Sequence, residues 1–144
     1  MVRPERDAFP VVAHVMLVRR SRLFLLRRAQ TGFMDGYFGL PGGHQRRGES
    51  VREAALRECR EETGVLPEDL APRCVLPYIS GRHQGLNFLF EAHRFDGEPR
   101  VNEPDLFDGC RWARRDDLPA RVTPWLVDAL AMPPGHWFRE FRWE

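Results

Sequence analysis

Between Gly43 and Val65, seven residues stand at offsets that a single helix turns into one acidic face: Gly43, Glu49, Arg57, Glu58, Glu61, Glu62 and Gly64. The helix itself is predicted by local signals. Ser50 and Glu53 form an S-x-x-E pair, in which each side chain satisfies a main-chain amide that the first turn leaves open. Residues 52–63 contain no Gly or Pro and are rich in Ala, Leu, Glu and Arg, all good helix formers. Gly64 suits a left-handed C-terminal cap, and Pro67 blocks continuation. The spacing therefore predicts a helix over 50–63. At about 100° per residue, Glu58, Glu61 and Glu62 share one face, which continues the apolar stripe of Val51, Ala54 and Ala55. Arg52, Glu53 and Arg60 point elsewhere. Glu53–Arg57 and Arg57–Glu61 have the spacing of surface ion pairs.

Three acids on an inward stripe repel one another and are costly to bury without compensation. A divalent cation is the natural compensation, and an all-oxygen donor set favours Mg2+ or Mn2+ over zinc. A merely solvated charged helix accounts for the ion pairs. It does not account for acids on the apolar face, or for the Leu40-Pro41-Gly42-Gly43 turn that precedes them.

The whole stretch reads G-x5-E-x7-R-E-U-x-E-E-x-G-U, with U a bulky apolar residue. Average residue frequencies put the seven fixed letters at about one in 10^8 per start position. The chain resembles the Nudix hydrolases, which cleave a nucleoside diphosphate linked to another group. The resemblance implies that Glu58, Glu61 and Glu62 hold metal, with the carbonyl of Gly42 as a further ligand. It implies that Arg57 orients the acids, with Glu49 as its partner across the loop. The base that activates water is one of the box acids or an acid from a later loop. Gly42 and Gly43 let main chain approach the ion where a Cβ would hinder it. Two positions depart from the family pattern: Cys59 replaces a larger aliphatic residue, and Phe38 stands where Trp is common. Cys59 reads as a small core residue rather than a reactive thiol.

The 144 residues suit one domain, 1–144, with an adequate core. A net charge of +1 gives no argument for a nucleic-acid or membrane surface. All 22 basic residues are Arg, spread along the chain, which points to genome composition rather than to a phosphate-binding patch. Cys59, Cys74 and Cys110 are odd in number and lack C-x-x-C spacing, so neither a disulfide framework nor a zinc site is expected. The apolar run 11–18 is too short for a membrane span and lacks a cleavage signal. A cytoplasmic address is the expectation.

Strands are predicted over 10–19 and 22–28, joined as a hairpin at Ser21, and over 73–80, 86–95 and 110–113. Residues 30–39 read as a loop and 123–132 as a second helix, with Thr123 as N-cap and Pro124 at its first position. The pattern is α/β (α+β), a mixed sheet between helices, and the Nudix fold is an α-β-α sandwich of this kind. Trp112 to Pro119 is similar to the family's W-x-x-x-D-x-L-P segment.

The resemblance implies Mg2+-dependent hydrolysis of a nucleoside diphosphate linked to X, with a small nucleotide as partner and either a monomer or a homodimer as the assembly. The ADP-ribose marker is a Pro where this chain has Ile79 and Ser80. The dinucleoside-polyphosphate marker is a Tyr where it has Gly81-Arg82. Elimination leaves a nucleoside triphosphate pyrophosphohydrolase. ADP-ribose or nucleotide-sugar hydrolysis and a non-enzymatic ligand sensor are the alternatives. Glu103 is a candidate late-loop acid. Arg27, Arg28 and Arg82 are candidates for phosphate or substrate contact, as is His83. Phe38, Phe88 and Phe90 suit core packing better than base stacking. The aromatic tail of Trp137, Phe138, Phe141 and Trp143 is expected to pack on the body or on a second subunit.

Overall fold

The computed structural model describes residues 2–143, and of residue 143 the backbone alone. The elements run β1 (Val11–Arg19), β2 (Arg22–Arg28), β3 (Phe38–Gly39), β4 (Gly42–His44), α1 (Val51–Thr63), β5 (Ala71–Ser80), β6 (His83–Ala92), β7 (Phe107–Arg114), α2 (Pro124–Leu130) and β8 (Phe141–Trp143).

Side-chain alternation along β1 creates the layers. Ala13, Val15 and Leu17 enter one core with Ala54, Ala55 and Cys59 of α1. Met16 and Val18 enter the other with Leu126 and Ala129 of α2. The strand is buried on both sides because each face has its own helix. The sheet order is β3-β2-β1-β6-β5-β8, with β4 on β1 and β7 on β2. β1 with β6 and β5 with β8 run parallel, and the other pairs are antiparallel. The expected mixed sheet between helices is present.

One edge of β1 is shared. Its end pairs with β2 through Val18↔Leu23 and Arg19↔Arg22 only, across a tight turn with Arg20 and Ser21 at φ 51° and 62°. Its beginning pairs with β4 through Val12↔His44, Ala13↔Gly43 and His14↔Gly42. The predicted turn at Leu40–Gly43 is therefore half strand, and Phe38–Gly39, predicted as loop, pairs with β2. Both differences follow from β1 and β2 pairing at two positions only: the free edge of β1 takes the Gly-Gly strand and that of β2 takes Phe38–Gly39, ladders that no local propensity announces.

Other boundaries shift. β6 starts at His83, because Gly81-Arg82 alone turns the chain, and ends at Ala92. β7 extends to Phe107–Arg114 along β2. α2 is shorter than predicted, and Thr123 occupies the N-cap position without a side-chain cap bond. The tail packs on the body. Val75 N donates to Trp137 O at 2.7 Å, β8 lies along β5 and Phe141 is buried in the α2-side core, while Trp137 and Phe138 stay exposed. The side chain of Trp143 lies outside what the structure describes.

Candidate active site

Helix α1 begins and ends as its sequence dictates. Both hydrogen bonds of the Ser50–Glu53 capping box form, and Gly64 closes the helix at φ 80°. Glu53 is thereby engaged by the Ser50 amide at 3.1 Å. The predicted Glu53–Arg57 pair does not form, because Arg57 has better partners. Its Nε and Nη2 grip the two oxygens of Glu49 at 3.0 and 2.7 Å. Nη1 donates to Glu58 at 2.8 Å and to Glu61 at 3.3 Å, and Nη2 also reaches the His44 carbonyl at 2.9 Å. One guanidinium thus ties the loop acid, the helix acids and β4 together, a use of the planar fork that an ammonium does not reproduce. The Arg57 bond is the main reason that the Glu49 carboxyl is pulled down to about 2. The same contact holds Arg57 above its ordinary range.

Of the acids expected on the inward face, Glu62 is buried there, whereas the Glu58 and Glu61 side chains, 17% and 40% exposed, turn to Arg57 at its margin. Glu62 is 4% exposed, and the Gly42 amide donates to its Oε1 at 2.8 Å. Burial pushes its carboxyl well above the usual range, the Gly42 bond opposes this, and the charges of Glu58 and Glu103 add to the rise. Glu103 is also raised, first by burial and then by Glu61 and Glu58. The late-loop acid therefore shares the field of the helix acids. A Cβ on Gly43 would overlap the Glu58 carboxyl, and one on Gly42 would overlap the Ala13 carbonyl and meet His14 Nδ1 at 2.7 Å. Glycine is required here for room.

Among the described residues no three acidic, His or Cys side chains converge into a ready coordination cluster. Glu58 and Glu61 turn toward Arg57, and Glu62 toward Gly42. The donor set nevertheless suits a hard divalent cation. It consists of oxygens alone, Glu58 and Glu61 share the single guanidinium of Arg57 with Glu49, and Glu62 and Glu103 lie in the field of these acids with carboxyls raised first by burial.

The arginine candidates separate. Arg27 pairs with Asp108 at 2.6 Å and lies over Phe38. Arg28 donates to the Phe33 carbonyl at 2.7 Å, lies over the Phe33 ring, and its charge is felt at Glu62. Arg82 is exposed in the β5–β6 turn. Its neighbour His83 meets the Phe33 ring, with centroids 6.1 Å apart, which joins the hairpin tip to the 30–37 loop. Phe90 is buried and Phe88 packs beside it in the α1-side core, while Phe38 packs against the α2-side core. The Cys59 thiol is pushed up to about 12 by burial, as befits a core residue.

Sequence reasoning passed over His14, Asn87 and Trp125. His14 Nε2 lies 2.9 Å from Asn87 Oδ1, its ring sits 4.4 Å from that of Trp125, and Nδ1 has no hydrogen-bond partner among the described residues. Burial pulls its imidazole down to about 4. The available signal was a His inside an otherwise apolar strand.

A NUDIX domain model matches residues 8–132. The chain belongs to the Nudix family. Its sequence is similar to an RNA pyrophosphohydrolase of Wolbachia pipientis, 29% identical over 142 residues, with 86% of this chain and 85% of the relative covered. It is also similar to an 8-oxo-dGTP diphosphatase of Escherichia coli, 30% identical over 107 residues, covering 72% and 82%. The crystal structure of a MutT NUDIX hydrolase from Burkholderia pseudomallei superposes with a TM-score of 0.81 at 34% identity, covering 86% of this chain and 97% of that one. The Nudix box of this chain is thus the inner face of α1 together with β4, and the protein is a hydrolase of that family. No described helix is long and apolar enough to cross a membrane.

Proposed function

We propose that this hydrolase cleaves a phosphoanhydride of nucleoside 5′-triphosphates, with Mg2+ as cofactor and Mn2+ as a substitute, giving a nucleoside monophosphate and pyrophosphate. The observation that carries the reading is the buried, raised Glu62 beside Glu58 and Glu61, facing a Gly-Gly strand with no room for side chains. Glu58, Glu61, Glu62 and the Gly42 carbonyl are the groups to hold the ion. When bound, a divalent ion there supplies phosphate neutralisation and a more acidic water. Arg57 keeps Glu58 and Glu61 aligned, with Glu49 as its counter-anchor. A carboxylate of the Glu58/Glu61/Glu62 cluster takes the proton of the attacking water, and Glu103, in the same field, is the second candidate. Arg27, Arg28 and Arg82 are the cations for the phosphates: Arg27 is paired with Asp108 at the surface, Arg28 bonds the Phe33 carbonyl, and Arg82 is exposed in the β5–β6 turn.

A second reading is favoured by the similarity to proteins named RNA pyrophosphohydrolase: the triphosphate is the 5′ end of an RNA. Both readings share the bond cleaved and differ in whether the first nucleotide is free or heads a chain. The three unpaired cysteines suit a reducing, cytoplasmic setting.

The test is phosphate release, coupled to inorganic pyrophosphatase for nucleoside triphosphates and a 5′-triphosphorylated oligoribonucleotide and to a phosphatase for ADP-ribose and nucleotide sugars, with and without Mg2+. Metal-dependent turnover of free triphosphates supports the first reading, and turnover of the oligonucleotide alone supports the second. Cleavage of ADP-ribose or sugars only, or thermal stabilisation by nucleotide without turnover, overturns both.

A further inference from the structure

Helix α1 ends on the acids, and the last carbonyls of a helix have no partner within it. Here the Gly64 amide satisfies Arg60 O at 2.9 Å. The next three are capped by one distant segment. Asn102 Nδ2 donates to Glu61 O at 2.9 Å, Asn102 N to Glu62 O at 3.0 Å, and Arg100 N to Thr63 O at 3.0 Å. The Asn102 amide is itself oriented, because Arg100 Nη2 donates to its Oδ1 at 2.8 Å. The Arg100 guanidinium lies against Gly64, where a Cβ would meet it, and brings positive charge to the negative end of the helix dipole. The next residue, Glu103, is the acid whose field reaches Glu62 and which itself feels Glu61 and Glu58.

We infer that Asn102 is a positioning residue for the metal-holding turn: its side chain and main chain clamp the carbonyls of Glu61 and Glu62, and so fix both carboxylates and Glu103 relative to one another. The inference rests on the reading that these acids hold a divalent cation. It is not a property of the box, since Asn102 lies 40 residues beyond Glu62 in sequence. A helix end left uncapped frays first, and here the fraying turn is the one that carries the ligands. Asn102→Ala removes the donor to Glu61 O but keeps the main-chain bond to Glu62 O. Asn102→Asp keeps the acceptor for Arg100 and presents an anion to the Glu61 carbonyl.

The experiment is Mn2+ binding monitored by electron paramagnetic resonance, together with amide hydrogen exchange of the metal-free protein. Both variants are expected to bind Mn2+ about tenfold more weakly, as losses of outer-shell partners do. Exchange should accelerate over residues 61–65 and stay unchanged in β1. Leu126→Ala, in the opposite core, supplies a variant of lowered melting temperature with the site untouched. Its Mn2+ affinity should match the wild type. Unchanged Mn2+ affinity in both Asn102 variants overturns the inference, and so does an equal loss in Leu126→Ala. Wild-type protein that binds no Mn2+ removes the proposed function, a result distinct from either.

Discussion

The main-chain amide of Gly42 donates to the buried carboxyl of Glu62 at 2.8 Å. A strand that exists only because β1 has an open edge thus meets the acid that the helix buries most deeply. The contact orients Glu62 but does not offset its burial, since the carboxyl stays well above its ordinary range.

Glu62→Gln should therefore separate stability from activity. The amide keeps the shape and an acceptor for Gly42, and removes a carboxylate that is costly to bury. Unfolding stability is expected to rise by roughly 1 kcal/mol in urea melts. Metal-dependent turnover should fall by about 10^2-fold or more. A variant with both values unchanged would contradict the assigned role.

Arg57→Lys tests the fork. Lysine keeps the charge but not simultaneous contact with Glu49, Glu58 and Glu61. Leaving partly buried carboxylates without their partner should lower stability by about 1–3 kcal/mol. Turnover should fall while circular dichroism stays native. Wild-type kcat in Arg57→Lys would show that a point charge suffices.

Gly42→Ala and Gly43→Ala should differ in kind. At position 42 the methyl meets rigid β1 backbone at Ala13 and the ring of His14, so overpacking should cost about 1–3 kcal/mol or more, read as a lowered melting temperature. At position 43 it meets only the movable end of Glu58. That variant should keep its melting temperature and lose activity through displacement of Glu58. Equal thermal losses would sink the distinction.

His14 makes stability depend on pH. Its imidazole is held at about 4 in the folded chain against an ordinary 6.5, so the unfolded state binds a proton first as pH falls. The stability attached to neutral His14 is complete above pH 6.5, is lost progressively down to about pH 4 and is constant below. The interval corresponds to roughly 3 kcal/mol. Glu62, raised in the fold, contributes a slope of opposite sign that is common to wild type and variant. Urea melts of wild type and His14→Gln should diverge in slope between pH 4 and 6.5, and parallel curves would refute the assignment.

Sequence by itself determined helix α1, its caps and the inward position of Glu62, because those signals act between residues a turn or two apart. Ser50 meets Glu53, Gly64 meets Arg60, and the 3.6-residue period orders the rest. The strand pair of β1 and β2 was legible for the same reason. Tertiary structure alone decided what each acid faces. That β4 lies on β1, that Arg27 is taken by Asp108 while the charge of Arg28 reaches Glu62, and that Asn102 clamps the acid-bearing turn all depend on residues far apart in the chain. Such pairings are set by which groups the packed layers leave close together and short of partners, and no local spacing encodes that.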